Sequence, residues 1–134
     1  MEKEEIAEAI TKIGKLSEEQ QKYLYGECEN WVKKNFTNGM EIVVIMESDK
    51  HEEGIVHCYL RNRNNGLCYD VRGEMNDDRE VLLYTGIDYN LDNIDEFIFE
   101  CLDDFEMYLK WVDFEMVKDQ FWNKRNNDFN KVSK

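Results

Sequence analysis

The chain has 134 residues, of which 42% are hydrophobic and 13% aromatic, with no proline and only seven glycines. This composition excludes a disordered acidic tail and favours one domain that builds its core without disulfides or metal ions. The formal net charge is −13, and a surface of that sign repels nucleic acid, so we expect no direct binding of DNA or RNA.

The sequence also contains no candidate targeting or membrane segment. No apolar run approaches the ~18 residues that a membrane span requires, and the first residues lack the basic and apolar regions of a signal peptide. We therefore expect a cytoplasmic protein that binds no membrane. In that compartment its four cysteines are expected to be reduced; they are Cys28, Cys58, Cys68 and Cys101.

The N-terminal third has the pattern of helices. An apolar stripe predicts a first helix from Glu2 to Ile13, and Gly14 ends it. The segment Ser17-Glu-Glu-Gln20 has the form of a capping box, which opens a second helix.

Gly26 interrupts this second helix just before a cysteine. A break there puts Cys28 in the first turn of a new helix from Glu27 to Phe36, where the helix dipole favours a thiolate. Without the break, Cys28 is an interior helical residue.

Three β-branched or alternating segments predict strands, at Met40–Met46, Ile55–Arg61 and Gly66–Arg72. A four-residue loop between the last two, with Arg61 paired to Gly66, puts His57 directly opposite Asp70 on one face of the sheet. A two-residue Asn65-Gly66 turn keeps the shared face but moves the two side chains further apart along the strands.

The C-terminal half is strongly acidic and has a helical pattern. Glu80–Tyr84 is predicted as a further strand, and apolar residues from Ile94 to Val112 recur at helical spacing. Between Asp77 and Glu115 there are 13 acidic and two basic residues. The fold predicted from these elements is α+β: N-terminal helices, a small antiparallel sheet of three to four strands, and acidic C-terminal helices, all in a single domain of residues 1–134.

Three residues carry the pattern of a thiol enzyme. They are Cys28 at a helix start, His57 on one strand and Asp70 on the next. The helix N-terminus lowers the pKa of a thiol, the imidazole acts as its base, and the carboxylate fixes the tautomer of the imidazole. The backbone amide of Cys28, with Tyr23 or Tyr25, is the candidate oxyanion donor.

The pattern of Gly-x-Cys opening a helix, His on a strand and Tyr-Asp-x-x-Gly on the next resembles the compact papain-like group. That group includes transglutaminase-like and NlpC/P60-like domains and many phage or mobile-element proteins. The resemblance covers Tyr23 to Glu74, and it implies a papain-like core at about residues 17–86 with a helical extension at about 90–125. It also implies acyl transfer or hydrolysis of a peptide or acyl substrate by Cys28, His57 and Asp70, without a cofactor.

Two neighbouring charges bear on this interpretation. Carboxylates adjacent to Cys28, at Glu27 and Glu29, are expected to raise the pKa of its thiol. Arg72 shares the predicted face of Asp70 and either binds an anionic substrate group or pairs with Asp70 or Glu74. We expect a pairing with one of these two acids, and a pairing with Asp70 would take Asp70 away from His57.

No metal site is predicted. His51, His57, Cys58 and Cys68 are close in sequence but lack the CxxC or HxxxH spacing of zinc ligands. Strand alternation sends Cys58 to the face opposite His57 and Cys68, and the acidic half has no EF-hand loop.

The acidic half has two interpretations: its acids form a solvated face that keeps the protein in solution, or they form a binding surface, which gives a second class of function. Acids on one helical face can imitate a phosphate array and occupy the site of a basic nucleic-acid-binding protein, as an anti-defence inhibitor of a phage does. The alternative to catalysis is therefore a non-catalytic acidic inhibitor. Its partner-binding residues would be Asp88, Asp92, Asp95, Glu96, Glu100, Asp103, Asp104 and Glu106.

Overall fold

The computed structural model of the chain describes residues 3–112 and divides at residue 102 into two compact units. The first unit contains helices and an antiparallel sheet, which confirms the predicted α+β class. The described part of the second unit belongs to a helix at residues 102–112. The remainder of the predicted C-terminal extension lies outside the described residues. Within residues 3–112, no helix has the length and apolarity needed to cross a membrane.

Three helices open the chain: α1 (Lys3–Gly14), α2 (Glu18–Leu24) and α3 (Cys28–Asn35). The capping box predicted for α2 is confirmed. The Ser17 hydroxyl accepts a hydrogen bond from the Gln20 amide at 3.2 Å, and the Gln20 side chain accepts one from the Ser17 amide at 2.9 Å. These two bonds satisfy amides that a helix start otherwise leaves without a partner.

Of the two possibilities that the sequence left open at Gly26, the structure has the break before Cys28. Gly26 has φ = 145°, a conformation that side chains with a Cβ rarely adopt. The chain leaves α2 here, with the Glu27 amide bonded to the Lys22 carbonyl at 3.0 Å, and Cys28 is the first residue of α3.

The sheet has five strands in the order β4-β3-β2-β1-β5, and neighbouring strands are antiparallel. It therefore has one strand more than the largest number predicted. The strands are β1 (Met40–Glu47), β2 (His57–Asn62), β3 (Cys68–Asp70), β4 (Gly73–Met75) and β5 (Ile94–Phe99). A short 3-10 helix, His51–Glu53, lies between β1 and β2.

Helices pack on the strands that carry the predicted site residues. α3 contacts β2 and β3, and a fourth helix, α4 (Asp78–Leu82), contacts β3 and β4. The buried hydrophobic cluster combines residues of all five strands with two from α4, which fixes α4 against the sheet. Its members are Val43, Ile45, Tyr59, Cys68, Met75, Val81, Leu82 and Ile94.

The helix predicted from Ile94 onward is wrong over its first six residues, which form β5. The apolar spacing of this segment fits both a helix and a strand. Its position beside β1 decides the outcome, because Ile42–Met46 of β1 is buried and its backbone groups need partners on both edges. The helical pattern is followed only from residue 102.

The strand predicted at Glu80–Tyr84 is wrong as well. The segment forms α4 and a 3-10 helix, Leu83–Thr85. Asp77 caps α4, since its side chain accepts a hydrogen bond from the Glu80 amide at 2.8 Å. This cap and the burial of Val81 and Leu82 outweigh the β-propensity of the segment.

The predicted register between β2 and β3 differs from the observed one by one position on each strand. Arg61 lies opposite Cys68, and Leu60 lies opposite Tyr69, because the loop comprises residues 63–66 and the Asn62 amide bonds to the Leu67 carbonyl. His57 and Asp70 keep the same face but are diagonal neighbours. Diagonal pairs are about 7–8 Å apart at the backbone, within reach of long side chains.

Replacement of Gly26 by alanine tests the break that positions Cys28. We expect Gly26→Ala to lower the free energy of unfolding by about 1–2 kcal/mol, because an added Cβ is strained at positive φ. Gly14→Ala is the matched control, since Gly14 belongs to α1 and has open space around it. It should be neutral or stabilising in the same urea titration, and equal losses in both variants would contradict the interpretation.

Candidate active site

Cys28 lies at the N-terminus of α3, where unbonded amides favour a negative charge. The side chain of Glu27, the residue before it, makes no capping hydrogen bond to the helix. The free backbone amides of the first turn are therefore not capped by Glu27 and can stabilise a negative charge on the Cys28 sulfur. Cys28 is 6% exposed, so the thiol lies at the edge of the buried interior.

His57 is the first residue of β2 and is fully buried. Its Nε2 lies 3.0 Å from Oδ2 of Asp70, which makes this nitrogen the donor to the carboxylate. The ring stacks on Tyr59, with centroids 5.9 Å apart, and meets the edge of Tyr84 at 5.4 Å. These contacts fix the orientation of the ring and leave Nδ1 as the nitrogen available to Cys28.

Asp70 ends β3 and is 3% exposed. Asp70 pairs with Gly73 of β4, so Val71 and Arg72 form a two-residue turn directly after it. The turn is held by the Arg72 amide, which donates to Oδ1 of Asp70 at 2.8 Å.

Arg72 does pair with Asp70, as expected, with its Nη2 2.6 Å from Oδ2 and its Nε 3.1 Å from both oxygens. The further expectation, that this pairing separates Asp70 from His57, is wrong. Oδ2 accepts from His57 and from Arg72 at the same time. Arg72 is also anchored by a 2.6 Å bond to the Val81 carbonyl, which ties the hairpin turn to α4.

These contacts move the pKa values of all three predicted residues toward their charged forms. A hydrogen bond from Cys58 and the charge of His57 outweigh burial and lower the pKa of Cys28 to about 4. Burial opposes charge on His57 and on Asp70 too. The hydrogen bond to Asp70 and the charge of Cys28 nevertheless raise the pKa of His57, and hydrogen bonds from His57 and Arg72 lower that of Asp70. These directions favour the charged forms of Cys28 and His57.

The expectation that neighbouring acids raise the pKa of Cys28 is overturned by these partners. Glu29 does lie close, with its Oε2 3.7 Å from Sγ of Cys28. The pKa that rises is that of the Glu29 carboxyl group, because burial and the negative charge of Cys28 both disfavour its ionised form.

Cys58 is a neighbour of Cys28 that the sequence pattern did not reveal. The donor atoms of Cys28, Glu29 and Cys58 all lie within 4.8 Å of one another. Cys28 interacts with both His57 and Cys58 because α3 begins beside the first residues of β2. Their 30-residue separation in the chain gives no short motif, so only the predicted packing of the third helix on this strand could have indicated the contact.

The tyrosines proposed as oxyanion donors have other surroundings. The Tyr23 hydroxyl accepts from Lys34 at 2.6 Å, and Tyr25 is 60% exposed. Tyr84 is the tyrosine beside the imidazole: its ring meets His57, and the Arg72 guanidinium lies 4.6 Å above the ring centre. Its hydroxyl is buried and has no hydrogen-bond partner among residues 3–112.

The acidic residues proposed as a partner site do not share one helical face. Asp95 and Glu96 lie on β5 and point to opposite sides of the sheet. Asp95 pairs with His51, and Glu96 pairs with Arg61 at 3.1 Å. Of the others, Asp88 and Asp92 precede β5, Glu100 follows it, and Asp103, Asp104 and Glu106 belong to the helix at residues 102–112.

Comparison of the chain with protein families, with curated proteins and with solved structures finds no match.

The shared carboxylate predicts an asymmetry between two acid–histidine pairs. Asp70→Ala should lower the free energy of unfolding by about 3 kcal/mol, because it leaves two buried cationic groups without their partner. Asp95→Ala, in the exposed pair with His51, should cost less than about 1 kcal/mol. Denaturant unfolding at pH 7 measures both, and similar values would contradict the central role of Asp70.

The pH dependence of this difference has a definite sign. The pKa of Asp70 is lowered in the folded protein, so its stabilisation is complete above the unfolded pKa of about 3.9. It is lost as the pH falls through the folded value. The gap between wild type and Asp70→Ala should therefore persist at pH 5–7 and shrink in stronger acid.

Proposed function

We propose that this chain is a thiol-dependent acyl hydrolase or acyltransferase that acts on a peptide or other acyl substrate. Cys28 is the nucleophile, His57 the general base and acid, and Asp70 the residue that orients the imidazole. One observation carries this proposal. The buried His57 ring bonds Asp70 through Nε2 at 3.0 Å, and its charge acts on the Cys28 thiol at a helix N-terminus.

The reaction follows from these roles. The Cys28 thiolate attacks the acyl carbon, a C–S bond forms, and the bond to the leaving group breaks as His57 gives that group a proton. The result is a thioester on Cys28. Water or a second acceptor then attacks the thioester while His57 takes its proton, and the thiolate leaves again as the anion.

The negative charge that develops on the carbonyl oxygen needs a donor. Amides in the first turn of α3 have no partner within the helix, and the amide of Cys28 itself is the nearest to the reacting atom. This is the donor expected from the sequence, and it supports the proposal because the helix begins at the nucleophile.

The shared carboxylate strengthens the base. Asp70 is held on one side by Arg72, so it presents Oδ2 to His57 in a fixed direction. A fixed partner stabilises the imidazolium that forms when His57 accepts a proton. Arg72 is therefore a positioning residue that acts through Asp70, and binding of a substrate anion is not its role here.

The burial of Cys28 restricts the substrate. With 6% of its surface exposed, Cys28 presents little surface to an acyl group. We expect small or extended acyl groups to react and bulky branched ones to be excluded.

The first test is the alkylation rate of Cys28 by iodoacetamide at pH 6, in the presence of a chelator. An ordinary thiol, with a pKa of about 8.5, is almost fully protonated at this pH. Cys28 should react at least 10-fold faster in the wild type than in His57→Ala, because removal of the imidazole removes a cation and a hydrogen bond. Equal rates in the two proteins would contradict the Cys–His pair, and mass spectrometry of the labelled peptide identifies the thiol.

The second test is turnover of activated acyl esters. Wild type should show a burst of leaving group, a thioester on Cys28 detectable by intact mass, and then steady release of acid. Cys28→Ala should abolish all three, and His57→Ala should reduce turnover about 10²- to 10⁴-fold.

Cys101→Ala is the matched control for that test, since Cys101 is an exposed free cysteine outside the site. It should leave turnover unchanged. The enzyme proposal would be contradicted by acylation at Cys101 alone, or by a Cys28 thioester that is neither hydrolysed nor passed to an acceptor. An inhibitor of a basic protein, the other function considered, needs no thiol, and its binding would survive in Cys28→Ala.

A further inference from the structure

Cys28, Glu29 and Cys58 form a compact set of metal-ligand types on α3 and β2. Their two sulfur atoms and one carboxylate oxygen lie within 4.8 Å of one another. Both cysteines are buried and Glu29 is half-buried, so the set is not an exposed acidic cluster.

The one distance resolved within the set has the size that a tetrahedral site requires. Zinc binds sulfur at about 2.3 Å and carboxylate oxygen at about 2.0–2.2 Å, so a sulfur and an oxygen on one ion are about 3.6 Å apart. Sγ of Cys28 and Oε2 of Glu29 are 3.7 Å apart. The distance between these two atoms therefore matches that between two ligands of one zinc ion.

His57 supplies an independent indication of a ligand at this place. Its Nδ1 is fully buried and has no hydrogen-bond partner among the described residues, and its ring interacts with Cys28. The other ring nitrogen bonds the Asp70 carboxylate. An unpartnered buried nitrogen beside the three donors can accept a hydrogen bond from a water molecule bound to an ion there.

We propose that Cys28, Glu29 and Cys58 bind a thiophilic divalent cation, with Zn²⁺ the best match. A water molecule completes the coordination, because Nδ1 of His57 does not lie within 4.8 Å of all three donors. Two sulfurs and a carboxylate favour Zn²⁺ over Mg²⁺ or Ca²⁺, which prefer sites made of oxygen alone. Binding displaces the Cys58 proton to solvent, because the thiolate is the form that coordinates.

The inference does not rest on the proposed enzyme function. If Cys28 is the nucleophile, a bound cation occupies its sulfur lone pair and blocks attack, so Zn²⁺ inhibits. If the chain performs no acyl chemistry, the same residues still bind the ion and tie α3 to β2.

The test uses the full chain after chelator treatment, with Zn²⁺ and Co²⁺ as probes and no acyl substrate. Competition with a chromophoric chelator should give one equivalent of bound Zn²⁺. Co²⁺ should produce thiolate-to-metal charge-transfer absorption. Cys58→Ser should weaken Zn²⁺ binding at least 10-fold and remove part of that absorption, whereas Cys101→Ser, which changes an exposed cysteine, should leave both unchanged.

Glu29→Gln is a second test that does not depend on whether the Cys58 variant folds, because the Glu29 side chain is only half-buried. It should weaken Zn²⁺ binding several-fold while the circular dichroism spectrum stays that of the wild type. Absence of a stoichiometric Zn²⁺ site overturns the inference, and so does binding that neither Cys58→Ser nor Glu29→Gln alters. Because no substrate is present, this failure is distinguishable from a failure of acyl turnover.

Discussion

A carboxylate buried to 3% exposure between two cationic side chains holds the candidate site together. Asp70 bonds His57 of β2 on one side and Arg72 of the next turn on the other. Burial of an unpaired charge costs several kcal/mol, so all three groups must be in place at once. Arg72 extends the constraint to α4 through the Val81 carbonyl, and one carboxylate thereby fixes strand, turn and helix relative to one another.

The thiol depends on a second, local constraint. Gly26, in the link between α2 and α3, has a backbone conformation that few residues tolerate, and α3 begins at Cys28. The cysteine thus meets the positive end of a helix dipole and the start of β2 together. Neither effect alone accounts for the chemistry, since a helix terminus without His57 has no base, and His57 without the helix has no thiol beside it.

The sequence predicted these local features well, because each is encoded within a few residues. The capping box at Ser17 and the shared face of His57 and Asp70 depend only on local capping chemistry and strand alternation. The break at Gly26 was one of two possibilities, since an isolated glycine inside a helical pattern can interrupt a helix or be tolerated in it. The register of the hairpin was missed by one position per strand, because Asn62–Gly66 contains several residues suited to a turn.

The predictions that were wrong concern segments whose structure depends on contacts with distant parts of the chain. Residues 94–99 fit a helix by spacing and became a strand because β1 needs a second neighbour. The predicted acidic helical face was wrong for the same reason, because neighbouring residues of a strand such as Asp95 and Glu96 point to opposite faces. The proximity of Cys28 to Cys58 depends on how α3 packs along β2, which no short motif records.

The charge balance around Cys28 links the two proposals. The Cys28 thiolate lies beside the donor groups of Glu29 and Cys58. Burial and the negative charge of the thiolate raise the pKa values of both groups, although Lys33 on the same helix opposes this shift. A divalent cation bound to the three donors would favour the ionised form of each. The proposed acyl chemistry and the proposed metal binding therefore depend on the same feature, a Cys28 thiolate at a helix N-terminus. Because both use the same sulfur, the affinity of the site for the cation sets the fraction of the protein in which Cys28 is able to attack an acyl carbon.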